Sequence, residues 1–342
     1  MPSSQNRNKY KNDASGTRSD ADNTLTLTTK DRLINTWQQR LLAKNWRLAV
    51  AVVCTTIAAG MVSLELPITN LWERQVQSLF FELRGPVEAP ENIVILAIDE
   101  ESLSQGQHYR EEPERYRSLK PIEAWPWRRE AYAKVIDRLM KAGAQTVAID
   151  VLFPEPSSYG DADDDAFAEV LNQYGDRIVL AADYSPSISR QGVTTQPLVP
   201  LEKFEDAGVR VGSINFPLEQ NEQIHRLTQN FLAQLAADEA RYIGASAGIS
   251  EEDQVSAPIS FAQATLLASG KTFAPELQEN IFFHGPANTF KHLPFWYVLD
   301  DDPWQNYLKN GSLFEGKTVL IGTTATIRQD FHEAPFSQSM LH

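Results

Sequence analysis

Cysteine occurs once in 342 residues, at Cys54, so neither an intrachain disulfide nor a multi-cysteine metal site can form. Histidine is almost as scarce. The six, at positions 108, 225, 284, 292, 332 and 342, never fall at the short spacings of a zinc site. No G-x-S-x-G elbow is present, which removes the commonest serine-nucleophile signature. Positive charge is thin over most of the chain: residues 65–342 hold 22 Lys/Arg against 41 Asp/Glu, a net −19. Such a surface repels phosphate backbones, so nucleic acid is excluded as a partner. No cofactor, metal or catalytic residue is expected from these absences.

Residues 1–47 have the opposite balance, nine Lys/Arg against four Asp/Glu. They are rich in Ser, Thr, Asn and Asp up to residue 30, and read as a largely disordered cytoplasmic tail. A long, uncharged and strongly apolar run follows at 48–64, LAVAVVCTTIAAGMVSL. Seventeen residues are the lower limit for crossing a hydrocarbon core of about 30 Å, and Leu66 and the snorkelling of Arg47 extend the reach. Arg32, Arg40, Lys44 and Arg47 flank it on the amino side with only Asp31 opposing. The positive-inside rule therefore keeps the tail in the cytoplasm and places the rest outside. A buried helix of a soluble domain is the competing reading, but the segment is apolar on every face and Pro67 closes it. A cleaved signal peptide would need an unusually long basic region and an A-x-A site that is missing. The expected organisation is a tail at 1–47, a transmembrane helix at 48–66, and an extracytoplasmic, periplasmic domain at 67–342. The protein is thus expected in the cell membrane, single-pass.

Beyond the anchor, 72–83 (WERQVQSLFFEL) reads as a short amphipathic helix, broken by Gly85-Pro86 and Pro90. The run 93–98 ends in Asp99-Glu100 and resembles a strand buried on both faces. Tyr132, Val135, Ile136 and Leu139 fall on one helical stripe that Gly143 stops. A strand is expected over 146–153, a helix led by Asp163-Asp164-Asp165 and stopped by Gly175, and a strand over 177–182. Strand, helix, strand, helix, strand is the pattern of parallel βαβ units. Further strands are expected at 209–216, about 226–232, 281–283 and 318–321, with a helix at 261–269. The fold class is α/β: a sandwich with a mainly parallel, mixed sheet, some strands being antiparallel.

Several of these segments together resemble a known family. WPWRREAYAKVIDRLMKAGAQTVAIDVLFPEP (125–156), preceded by IVILAIDEESL (93–103), is similar to the CHASE family, the cyclase- and histidine-kinase-associated sensory extracellular domains, in their second type. FELRGP (81–86), VGSINF (211–216), FAQA (261–264), and FEGKTVLIGTTA (314–325) with Asp330 match in the same order. The resemblance runs from about residue 71 to the end. It implies an extracytoplasmic sensory input module coupled through membrane helices to a cytoplasmic cyclase, kinase or phosphodiesterase output. Two departures stand out: a charged insert at 108–120 (HYREEPERYRSLK), and a stop at His342 where the family continues into membrane helices and an output domain. The chain is accordingly expected to be truncated at its C-terminal end, to use a separate membrane-bound kinase or cyclase as output partner, and to form homodimers.

The remaining chemistry is weighed residue by residue. Gly311 to Thr318 (GSLFEGKT) formally matches G-x-x-x-x-G-K-[ST], but it leads into a strand instead of opening a helix, so phosphate binding is rejected. Asp99, Glu100 and Asp150 sit at or near strand ends, where open α/β sheets bind ligands. They would serve a metal-assisted hydrolase or phosphoryl-handling enzyme if they converged; capping or a buried hydrogen-bonded carboxylate is the plainer role. The 161–165 cluster (DADDD) lacks the glycine and terminal glutamate of a calcium loop and suits N-terminal capping. Trp125, Trp127 and Arg128, around Pro126, form either a ligand wall or a packing plug. The candidate ligand-binding residues are Asp99, Trp125, Trp127, Arg128 and Asp150. The leading reading is a membrane-anchored sensor; a non-signalling envelope scaffold or receptor remnant is a third.

Overall fold

The computed structural model describes residues 48–56, 59–60, 67–184, 186–189, 192–195, 197–217, 224–228, 232, 258–272, 280–325 and 336. Residues 48–56 and 59–60 are helical, with Leu48, Val50, Val52 and Val53 exposed. Among the described residues no helix is long and apolar enough to cross a membrane; part of the 48–66 segment, and the 1–47 tail, lie outside them.

From Arg74 onward the described residues form one compact unit. Its centre is a six-stranded sheet built from β1 (Ile93–Ile98), β2 (Thr146–Asp150), β3 (Ile178–Ala182), β6 (Arg210–Ser213), β7 (His292–Pro294) and β8 (Thr318–Thr323), in the order β6-β3-β2-β8-β1-β7. Every pairing in it is parallel. The expected mixed sheet is corrected here. Among the described residues the antiparallel strand pair is a separate hairpin, β4 (Pro186–Ser189) with β5 (Gly192–Thr195), which forms its own two-stranded sheet. The last strand, β8, lies between β1 and β2, pairing Ile93–Ile98 on one side and Thr146–Asp150 on the other.

Alternation along each strand sorts side chains to two faces. Val94, Leu96 and Ile98, Val147 and Ile149, Ile178 and Leu180, and Val319 and Ile321 share one buried cluster. Helices α2 (Arg129–Lys141) and α3 (Asp161–Tyr174) cover that face, through the predicted stripe Tyr132, Val135, Ile136 and Leu139 and through Phe167 and Leu171. Full burial of each such side chain contributes about 1.5–3 kcal/mol. On the opposite face small residues allow close approach. Ala148 and Val179 meet Ala264 of α4 (Phe261–Ala268). A Cβ on Gly212 would lie 2.5 Å from the Phe261 Cα. α4 is tied down at its end: Ser269 Oγ donates to the Thr265 carbonyl at 2.8 Å and lies 3.2 Å from both the Thr146 and Thr318 hydroxyls. Helices on both faces of a wholly parallel sheet make three layers.

Other sequence expectations shift. β2 ends at Asp150, three residues before Phe153, which packs instead against Tyr132 and Phe167. No strand spans 281–283; an isolated bridge joins Arg226 to Asn280, and the edge strand is His292–Pro294. Residues 229–231 of the expected 226–232 strand lie outside the described residues, as does Asp330. The 108–120 insert supplies a short helix, Gly106–Glu111, and a 3-10 turn, Arg117–Ile122, whose Leu119 and Ile122 enter the core. The GSLFEGKT turn reaches β8 at its amino end, where the Lys317 ammonium donates to the Glu91 carbonyl at 2.7 Å.

Candidate functional site

In a parallel sheet all strands end on one side, and right-handed crossovers bring the following helix starts to that same side. The carboxyl ends here carry a polar rim: Asp99 after β1, Asp150 closing β2, Asp183 after β3, Ser213 and Asn215 at β6, and Thr323 and Thr324 at β8. The loop before α2, with Trp125, Trp127 and Arg128, and the acidic start of α3 lie at this end too.

Asp99 is the N-cap of the helix Glu100–Ser104, its Oδ1 accepting from the Ser102 amide at 2.7 Å. Its charge also reaches His292 and Tyr297. Loss of hydration lowers the His292 pKa below its ordinary 6.5, and Asp99 pulls it back up. Burial raises the Tyr297 pKa, and Glu101, Tyr307 and Asp99 push it the same way. The Trp296 indole donates to Glu101 Oε1 at 3.2 Å. Asp150 is exposed at the end of β2, and is not turned into the sheet. It flanks Gly322 of β8, where a Cβ would stand 3.4 Å from the Asp150 Cβ and 3.8 Å from its Oδ2. Glu100 is exposed in the first turn of the helix that Asp99 caps.

Asp99 and Asp150 stand on opposite sides of β8. Two inter-strand spacings put their strands about 10 Å apart. The hydrolase reading requires these carboxylates to converge, whereas their parent strands are separated by β8. Among the described residues no three His, Cys, Asp or Glu side chains are grouped to hold a metal ion.

Trp127 is buried, its ring 5.0 Å from Phe295, 6.4 Å from Tyr132 and 5.4 Å from Trp125. It belongs to an aromatic core that continues through Phe153, Phe167 and Phe204. Trp125 and Arg128 are half-buried. The Arg128 guanidinium lies 4.1 Å over the Tyr159 ring, and the Tyr159 hydroxyl donates to the Pro126 carbonyl at 3.1 Å, so ring and loop brace each other. The Trp125–Pro126 peptide is cis.

The acidic cluster does cap a helix, but mainly a neighbouring one. Asp163 Oδ2 accepts from the Arg129 amide at 2.8 Å and its Oδ1 from the Glu130 amide at 3.0 Å, capping α2 across 34 residues of sequence. Ser157 Oγ donates to the same carboxylate at 2.6 Å. Beside it the buried Asp164 accepts from the Ser157 amide and faces Arg129 Nε at 3.5 Å. Arg129 stacks over Phe153 at 4.6 Å. α3 itself starts at Gly160 with no side-chain cap.

Sequence reasoning missed the pair Asp183 and Asn215. Asn215 Nδ2 donates to Asp183 Oδ1 at 2.7 Å, while its Oδ1 accepts from the Tyr184 amide at 2.7 Å and the Ser213 hydroxyl at 2.8 Å. This network joins β3 to β6 just past their last ladder pair, Ala182 with Ser213. The signal was present: an acid directly after the apolar run 178–182 repeats the pattern that marked Asp99.

An open, wholly parallel sheet covered by helices and edged by a polar carboxyl rim defines an α/β domain. The particular family follows from comparison: the CHASE2 domain model matches residues 49–342, and the chain belongs to the CHASE2 family, which is made up of sensory extracellular domains. No curated protein and no solved structure matches it.

Proposed function

We propose that this chain is the extracytoplasmic sensory input domain of a membrane-anchored signalling system, held by a span at 48–66 with its N-terminus cytoplasmic and its main domain periplasmic. The carrying observation is the CHASE2 match, which takes in both the apolar segment and the whole sheet domain. The charge step agrees with it: a basic flank before residue 48 and a net −19 after residue 64 are what the positive-inside rule selects. Output passes to a membrane-bound kinase or cyclase, and the receptor works as a homodimer.

The ligand docks at the carboxyl rim. Asp99 and Asp150 flank β8 there, and Trp125 and Arg128 present half-exposed edges. Trp127, buried beneath them, positions the loop. Ligand binding shifts the domain between two packings only by as much as it favours one over the other. Thermal-shift screening of the detergent-purified full chain against small molecules tests this assignment. A hit whose stabilisation, measured against each variant's own unliganded melting temperature, is lost in Asp150→Asn and Arg128→Ala supports it. A hit indifferent to both substitutions places the ligand elsewhere.

A further inference from the structure

Helix α1 (Pro67–Arg84) has one face that its own domain uses and another that it does not. With Val76 as position a of a heptad, Leu79 is d, Phe80 e, Phe81 f, Glu82 g and Leu83 the next a. Position f is buried: the Phe81 ring lies 5.7 Å from Phe283, 5.9 Å from Phe336 and 6.2 Å from Phe282. The flanking b and c positions, Gln77 and Ser78, are half-buried, and Arg84 at the second b donates to the Phe283 carbonyl. The opposite seam is apolar and open, with Val76 45%, Leu79 52%, Phe80 66% and Leu83 73% exposed. Apolar residues at i, i+3, i+4 and i+7 on the outward side of a helix match the stripe that helices bury against one another.

We infer that this seam is where two copies of the chain meet, α1 against α1 in parallel about a two-fold axis. A two-fold interface must be self-complementary, and an uncharged apolar stripe pairs with itself. The rest of a domain at net −19 repels its own kind, whereas the four seam residues themselves carry no charge. A lipid surface fits less well. An interfacial helix wants Lys or Arg beside its apolar face, whereas Glu82 is exposed there and Arg84 is committed to Phe283. About two turns of helix bury on the order of a few hundred Å² per copy, less than the roughly 800 Å² per partner of a standard interface. Pairing therefore depends on confinement in a shared membrane, which raises effective concentration. The parallel orientation rests on the anchored reading above.

Single cysteines in a full-length Cys54→Ser background, oxidised in native membrane vesicles, test the pairing. Leu79→Cys and Leu83→Cys should give disulfide dimers several-fold more readily than Gln77→Cys or Ser78→Cys. Leu79→Glu with Leu83→Glu should abolish cross-linking at Val76→Cys while the melting temperature holds, since the replaced side chains are exposed. Equal yields on both faces, or no dimer at any position, overturn the inference. So does quenching of a fluorophore on Phe80→Cys by brominated lipid without cross-linking, which would seat the face on the bilayer. A domain facing the cytoplasm would sink the anchored reading without altering the cross-linking pattern, so the two failures are separable.

Discussion

Replacing the buried Asp163 with alanine should be among the more damaging single changes to a polar residue of this domain, although it sits in a run of similar acids. Its carboxylate holds three donors: the first two amides of α2, at 2.8 and 3.0 Å, and the Ser157 hydroxyl at 2.6 Å. Hydrogen bonds to a charged group are worth about 1.5–3 kcal/mol each. Alanine lets water reach some of the freed groups, and deleting a helix cap costs about 0.5–2 kcal/mol where measured. The loss expected for Asp163→Ala is thus about 2–4 kcal/mol, the upper part coming from the Ser157 bond and from orphaned amides beside a buried ion pair. At about 2–4 °C per kcal/mol for a domain of this size, the melting temperature falls by roughly 5–15 °C. Asp163→Asn keeps one acceptor oxygen without the charge and should lose about half as much. Asp161→Ala supplies the contrast. That residue is exposed in the first turn of α3 and acts only on the helix dipole, at about 0.3–1 kcal/mol. Thermal denaturation of the three variants decides the matter. Equal effects at 161 and 163, or a loss below about 0.5 kcal/mol at 163, would refute the cross-helix cap.

Gly212→Ala places a Cβ 2.5 Å from the Phe261 Cα and 2.9 Å from its amide nitrogen, so α4 must lift from the sheet at about 1–3 kcal/mol or more; denaturant melts should show that loss. Gly316→Ala, in open space at φ +67, should cost only the left-handed penalty of about 1–2 kcal/mol. His292 should titrate below 6.5 by NMR, because its folded pKa is lowered. The unfolded chain then takes the proton first, so this ring's contribution is present above about pH 6.5 and is lost as pH falls through the folded value. Asp99→Asn should lower that midpoint further; a rise would contradict the assigned cause. Tyr174, raised to about 12 first by burial and then by donating to Asp137 at 2.8 Å, should ionise late in a spectrophotometric titration, and Asp137→Asn should bring it forward.

What was legible in the sequence was local. The apolar runs expected at 93–98, 146–153, 177–182 and 318–321 announce their strands to within a few residues at the ends, and the Tyr132-Val135-Ile136-Leu139 stripe announces its helix face. β7 was hidden because His292–Pro294 is three residues with a proline, with no run to detect. The aromatic 281–283 segment drew the assignment instead, yet Phe283 serves to dock α1 through Phe81. Strand order was hidden for a different reason: nothing near 318–323 says that β8 enters between β1 and β2, since its partners lie some 170 and 220 residues away. The same distance effect governs the site. The Asp163 carboxylate was expected to cap its own helix, and long-range packing gave it to α2. Trp127 reads equally as wall or plug until Phe295, 168 residues on, is seen against it.

Topology is the most direct test of the account. Alkaline phosphatase fused after residue 342 should be active, and after residue 47 inactive, with the full-length chain retained in membranes through carbonate washing. Phosphatase silent at 342, or a chain released by carbonate, would contradict an extracytoplasmic sensor held by residues 48–66.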